Sequence, residues 1–177
     1  GIRELADKFA DDGGKVDVVF DNLEKLDDLR DLSKRFEGDD LDAVFENPEK
    51  AEGIRELADK FAEDGGKVDV VFDNLEKLDD LRDLSTRFEG DDLDAVFANP
   101  EKAEGIRELA DKFAEDGGKV DVVFDNLEKL DDLRDLSKRF EGDELDAVFA
   151  NPEKAEGIRE LVDKFEGDAD KVGVVFD

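Results

Sequence analysis

The segment Gly1-Ile2-Arg3-Glu4-Leu5 returns at Gly53, Gly105 and Gly157, so the chain of 177 residues is a tandem array with a period of 52. A fixed period of this size restricts the fold to architectures in which each unit buries its apolar face against the next. Copies one and two differ only at Asp11/Glu63, Lys34/Thr86 and Glu46/Ala98. Copies two and three differ only at Thr86/Lys138 and Asp92/Glu144. The array reads as repeats 1–52, 53–104 and 105–156 with a partial repeat 157–177, one continuous array over 1–177.

Each period is itself double. Leu29-Arg-Asp-Leu-Ser-Lys-Arg-Phe36 aligns with Ile2-Arg-Glu-Leu-Ala-Asp-Lys-Phe9, and Leu41-Asp-Ala-Val-Phe45 aligns with Val16-Asp-Val-Val-Phe20. The halves differ in their loops, Asp11-Asp12-Gly13-Gly14 against the shorter Gly38-Asp39. The last copy uses the wording of the shorter loop, Phe165-Glu166-Gly167-Asp168. The unit is therefore about 26 residues, present seven times, and two Phe per unit account for all 14 in the chain.

The longer segment of each unit reads as an amphipathic helix of about four turns. Asn47-Pro48-Glu49 offers an N-cap, a proline at the first helical position and an acid in the first turn. Ile54, Leu57, Ala58 and Phe61 follow at helical spacing, and Gly65-Gly66 is expected to end the run. Its sibling starts at Asn22, carries Leu23, Leu26, Leu29, Leu32 and Phe36, and stops at Gly38.

The shorter segment, Val16–Asp21 or Leu41–Glu46, admits two readings. As a strand it gives a βα solenoid, an α/β horseshoe resembling leucine-rich repeats in architecture but without their Leu/Asn consensus. As a short helix it places Val16, Val19, Phe20 and Leu23 on one face. Two points favour the helix. Stacked strands would align Asp17, Asp42, Asp69, Asp94, Asp121 and Asp146 in one row at about 4.8 Å, an unfavourable like-charge ladder. Position 18 also alternates Val and Ala while position 19 stays Val, and a helix buries 19 where a strand buries 18. The expected fold is all-α, a solenoid of seven units each built from a short and a long helix.

Composition narrows function. The chain has 55 Asp+Glu against 26 Lys+Arg, a net charge of -29, with no His, Cys, Met, Trp or Tyr. Disulfides, zinc–thiolate sites and cysteine or histidine catalysis are excluded. The charge has the wrong sign for nucleic acid, and neither an apolar run of membrane-spanning length nor a signal-peptide pattern is visible. Self-repulsion opposes compaction at low ionic strength and is relieved by salt. The composition resembles that of proteins from salt-loving organisms.

Asp11-Asp12-Gly13-Gly14-Lys15-Val16-Asp17 is similar to the centre of an EF-hand calcium loop. Aligned on that centre, however, the first ligand position falls on Phe9 and the bidentate Glu position on Phe20, which removes both anchors. Looser condensation of sodium, potassium, calcium or magnesium is the remaining possibility. Its weak candidates are Asp11, Asp12, Asp39, Asp40, Asp64, Asp91, Asp92, Asp116 and Asp143, and the solvated acidic loop is the preferred reading of the same residues. Carboxylate pairs such as Asp27-Asp28 recur in every copy, whereas a catalytic pocket is a unique place. Ser33, Ser85 and Ser137 sit in helix interiors with no His to activate them.

The pattern points to a non-enzymatic, structural tandem-repeat scaffold, acidic and salt-adapted, with no cofactor. Apolar Ile2, Leu5 and Phe9 at one end, and Val172, Val175 and Phe176 at the other, lead to an expectation of end-to-end homo-assembly into filaments. The alternatives are an acidic module that binds cations or basic proteins, and an artificial idealised repeat.

Overall fold

The structure, a computed structural model, describes residues 1–166 and 168–176. It is all-α: helices alternate long and short along the chain, and no strand occurs among the described residues. The chain divides into two compact units, Gly1–Phe88 and Glu89–Asp177. In the first, α1 (Ile2–Lys8), α3 (Leu26–Arg35), α5 (Ala51–Lys60) and α7 (Leu78–Arg87) are the long-type helices, and α2 (Gly13–Asp21), α4 (Gly38–Glu46) and α6 (Gly65–Asp73) the short ones. In the second, α9 (Ala103–Lys112), α11 (Leu130–Arg139) and α13 (Ala155–Lys164) are long. There α8 (Gly90–Ala98), α10 (Gly117–Asp125), α12 (Gly142–Ala150) and the briefer α14 (Ala169–Val174) are short.

The short segment is a helix, and the physical reason is the one its pattern carries. Val19, Val44, Val71, Val96, Val123 and Val148 are all at most 1% exposed. The neighbouring Val/Ala position is half-buried, and the Asp17 and Asp21 positions face water. The alternative strand reading is not supported.

Within each unit the long helices lie side by side, α1 against α3, α3 against α5 and α5 against α7 in the first, and α9 against α11 and α11 against α13 in the second. Two kinds of pair alternate. The isoleucine type carries Gly-Ile-Arg-Glu-Leu (α1, α5, α9, α13), and the leucine type carries Leu-Asp-Asp-Leu-Arg-Asp-Leu-Ser (α3, α7, α11). The leucine-type helix has acids in its first turn and bases in its last, as at Asp27, Asp28, Lys34 and Arg35, the arrangement that suits its dipole. Leu29, Leu32, Ile54 and Leu57 and their copies in α7, α9 and α11 supply the core.

Three details depart from the expected helix. The long run is not four continuous turns. A 3-10 turn (Leu23–Lys25, Pro48–Lys50 and their copies) precedes a ten-residue α-helix, because Lys25 relaxes to φ -101°, ψ 9° at the junction. The Asn residues do not cap the long helix with their side chains. Asn22, Asn47 and Asn74 instead donate their side-chain amides to the carbonyls of Val18, Ala43 and Val70, each at 2.9 Å, and so close the short helix before them. Gly65-Gly66 does not end a helix but begins one. Its preceding residue, Asp64, accepts the Lys67 backbone N–H at 3.2 Å, a side-chain N-cap that starts α6. The left-handed glycine lies in the other loop, at Gly38, Gly90 and Gly142, with φ between 57° and 59°.

Candidate functional site

The helix assignment sorts the charge of the chain. Residues 1–8, 23–35, 48–60, 75–87, 100–112, 127–139 and 152–164, the long helices with their leading turns, hold 22 basic residues against 26 acidic. The remaining segments, the short helices and their loops, hold 4 basic against 29 acidic. Almost all of the net charge therefore belongs to the short-helix layer of each unit, and the long-helix layer is close to neutral.

Cations in the long-helix layer are spent between neighbouring helices. Arg55 bonds Asp28 at 2.6 Å, Lys25 pairs with Glu52 at 3.1 Å, Lys34 with Glu4 at 2.8 Å and Arg82 with Glu56 at 2.5 Å. In the second unit Arg159 bonds Asp132 at 2.5 Å, and Glu108 receives both Arg134 and Lys138. Hydrogen bonding to Arg134, reinforced by Lys138, pushes the Glu108 carboxyl down to about 2. Lysines also reach backbone: Lys8, Lys60 and Lys112 donate to the carbonyls of Ser33, Ser85 and Ser137 on the next long helix. Lys50 and Lys102 donate to those of Leu75 and Leu127 at 2.9 Å. The three buried Ser hydroxyls are committed to carbonyls three residues back, at 2.8 Å, which is a structural role.

The short-helix layer has one lysine per isoleucine-type pair. Lys15 bridges Asp12 at 2.8 Å and Asp42 on α4 at 2.7 Å, and Lys119 bridges Asp116 at 2.6 Å and Asp146 at 2.7 Å. Side-chain hydrogen bonds from Lys15, Lys67 and Lys119, then bonds from the backbone, hold Asp12, Asp64 and Asp116 below the ordinary Asp range. These three are thus N-caps and ion-pair partners. Asp40 and Asp92 behave oppositely. Burial, then the carboxylates Asp69, Asp73 and Asp39, raise Asp40. Burial, then Asp121, Asp125 and Asp91, raise Asp92.

Of the residues singled out by sequence, Asp39, Asp40, Asp91, Asp92 and Asp143 lie in the first turns of α4, α8 and α12, and Asp11 is exposed in its loop. Asp40 and Asp92 each face two carboxylates of the following short helix, and those partners were not among the nine. The signal that points to them is the acid two and six places after Lys15, Lys67 and Lys119. Among the described residues no group of three or more Asp or Glu is placed to hold a metal ion. Shallow grooves occur on the surface, one between α2 and α4 lined by Asp12, Lys15, Val18, Asp42 and Phe45, another where the ends of α3 and α5 meet α6, lined by Arg35, Phe36, Ala58, Val68 and Asp69. No described helix is long and apolar enough to cross a membrane.

Phenylalanines join successive pairs. At four long helices the Phe that ends the helix meets a Phe of the following pair edge to face. Phe9 meets Phe45 and Phe36 meets Phe72, both at 4.9 Å, and Phe113 meets Phe149 and Phe140 meets Phe176, both at 4.8 Å. Comparison of the chain with protein-family models, curated proteins and solved structures found no match.

Proposed function

We propose that the chain is a non-enzymatic structural scaffold, a salt-adapted repeat array whose helix pairs stack through one recurring interface and which associates end to end. The observation that supports this reading is the recurrence itself. Phe9–Phe45 and Phe113–Phe149 have interplanar angles of 69° and 70°, and the Lys-to-Ser carbonyl bond returns at the same place in each of the three full copies. An arrangement repeated at each junction serves stacking, whereas binding of one substrate calls for a single distinct cavity. Exposed Ile2, Phe20 and Leu23 in the first unit, and Leu161 and Val174 in the second, are the apolar groups available for association. Light scattering over a salt series tests it: mass that grows with salt and protein concentration is expected, and monomers alone at about 1 M salt, where repulsion is screened, refute the end-to-end part.

A second reading is favoured by the charge partition, 4 basic against 29 acidic residues in the short-helix segments. That layer suits a basic polypeptide, or loosely held monovalent and divalent cations, and repels nucleic acid. Calorimetry with a polybasic peptide, calcium and magnesium at one ionic strength separates these partners. Absence of heat from all three removes this reading.

A further inference from the structure

We infer that α4 and α6 meet at a joint that opens as salt is withdrawn, whereas the junction between α2 and α4 is latched shut by Lys15. In the second unit α8 and α10 form the same kind of joint, and Lys119 latches α10 to α12. The inference goes beyond both functional readings and holds or fails independently of them.

Alignment of the two halves of a period places Asp40 where Lys15 stands. Lys15 reaches back to Asp12 and across to Asp42, with its ammonium 5.9 Å from the centre of the Phe9 ring. Lys119 repeats this with Asp116, Asp146 and Phe113. Between α4 and α6 the aligned residue is an acid, and the residues it faces, Asp69 and Asp73, are the equivalents of Asp42 and Glu46. Asp92 faces Asp121 and Asp125 in the same way. Cations on the elements around α4 are engaged elsewhere. Lys34 pairs with Glu4, Arg35 with Asp31 and Asp59, and Lys67 with Asp64, while Lys50 donates to the Leu75 carbonyl. Around α10, Lys102 donates to the Leu127 carbonyl and Lys119 is held by its two aspartates. A latch at one junction is thus replaced by like charges at the next.

Packing separates the two kinds of junction independently of charge. Across the latched ones, Phe9 and Phe113 are 7% exposed and Phe45 and Phe149 are 5% exposed. Phe36 and Phe72, across the α4–α6 joint, meet at the same 4.9 Å, yet both are only half-buried. Neither ring lies at an end of the chain, so the looser packing belongs to the junction itself. The long-helix side of this junction is closed. Arg55 bonds Asp28, Lys25 pairs with Glu52, and Arg35 donates to the Ala58 carbonyl at 2.8 Å. Leu29, Leu32, Ile54 and Leu57 are at most 1% exposed beneath them. Repulsion acts on one side of a junction whose other side is packed, so α4 and α6 part while α3 and α5 stay together.

The test measures two distances in the full chain by spin labelling, which the lack of native cysteine makes clean. Asp11→Cys with Glu37→Cys spans the latched junction, and Glu37→Cys with Glu63→Cys spans the joint. All three positions are exposed, and each pair removes two acids. NaCl is lowered from about 1 M to about 0.01 M, which lengthens the Debye length from about 3 Å to 30 Å. The 37–63 distance should lengthen at higher salt than the 11–37 distance does, and before helicity by circular dichroism falls. Asp40→Lys supplies the missing latch and should move the 37–63 transition to lower salt, level with the 11–37 pair. Lys15→Asp should move the 11–37 transition to higher salt. Glu24→Lys makes the charge change of Asp40→Lys in the exposed turn before α3, and should shift the 37–63 transition less. A 37–63 distance that stays constant, or that changes together with the 11–37 distance or with helicity, overturns the inference. Equal shifts from Asp40→Lys and Glu24→Lys overturn it as well.

Discussion

Gly105 and Gly157 make a matched pair for measuring what one helix pair contributes to the next. Both lie in the sequence Glu-Lys-Ala-Glu-Gly-Ile-Arg-Glu-Leu, at the third residue of α9 and α13. Replacement by Ala carries the same intrinsic helix gain at each, about 0.5–1 kcal/mol. The neighbours differ, since a Cβ on Gly157 would meet nothing within 4 Å. The new methyl at 105 would sit 3.0 Å from Leu130 Cδ2 and 3.4 Å from its Cγ, and Leu130 is 2% exposed, so it cannot swing aside without displacing other core atoms. Overpacking of this kind costs about 1–3 kcal/mol. Gly157→Ala should therefore stabilise α13 by up to about 1 kcal/mol, while Gly105→Ala should leave α9 unchanged or weaken it by up to about 2 kcal/mol. Hydrogen exchange of α9 and α13 amides is the assay, since an array opens locally and a single melting transition averages over its units. The decisive control is Gly105→Ala in a Leu130→Ala background, where the methyl has room and the substitution should become stabilising. Equal shifts at both glycines, or a loss that persists without the Leu130 side chain, would refute the packing argument.

Other predictions follow from the same geometry. Phe45→Ala should cost about 3–5 kcal/mol by opening a cavity beside Phe9, since both rings are buried, whereas Phe20→Ala, at a site 52% exposed, should cost under about 1 kcal/mol in urea unfolding. Stability should first rise as pH falls from neutrality, because the folded-state pKa values of Asp40 and Asp92 are raised and their ionised forms oppose folding. It should then fall below the ordinary Glu range toward about pH 2, where Glu108 and the N-caps Asp12, Asp64 and Asp116, all with lowered values, lose their charge. Asp40→Asn with Asp92→Asn should stabilise at neutral pH and abolish the rise, which a denaturant series at fixed salt checks. Lys119→Gln unties Asp116 from Asp146 and should destabilise at low salt, the difference from the parent shrinking in about 1 M salt.

Much of this architecture is legible in the sequence because the copies are nearly identical. The Val/Ala alternation at position 18 beside an unvarying Val19 separates helix from strand without a structure. Local polar chemistry is less legible, since Asn47, followed by Pro48, satisfies every rule for an N-cap and yet turns its amide back to Ala43. Its neighbours decide: the short helix leaves carbonyls open at its end, and a 3-10 turn follows. Gly13-Gly14 is similarly ambiguous, and Asp12 resolves it by capturing the Lys15 N–H. Pairings 36 residues apart, such as Phe9 with Phe45, are invisible to a periodic reading, which finds the rings but not their partners. The nine acids chosen from loop composition include Asp40 and Asp92 but omit Asp69, Asp73, Asp121 and Asp125, because facing helices bring together residues that no single loop contains.

Charge and packing act on different layers, and their opposition is the central feature of the molecule. Ion pairs between long helices are partly exposed and individually worth at most about 1 kcal/mol. Burial of leucine, isoleucine and phenylalanine between pairs supplies the larger share, at about 1.5–3 kcal/mol per side chain. Against this stands a short-helix layer that carries nearly the whole of the -29 net charge.

The most direct test is helicity by circular dichroism from about 0.01 M to 1 M NaCl, across which the Debye length falls from about 30 Å to 3 Å. The comparison is between the parent chain and two variants with equal numbers of acids neutralised. One variant changes Asp40, Asp69, Asp73, Asp92, Asp121 and Asp125 to Asn. The other changes the long-helix acids Glu4, Asp28, Glu52, Glu108, Asp132 and Glu156 to their amides. The parent should gain helix with salt, the first variant should be helical already at low salt, and the second should need more salt than the parent. A parent equally helical throughout, or two variants that respond alike, would contradict the division of charge from packing.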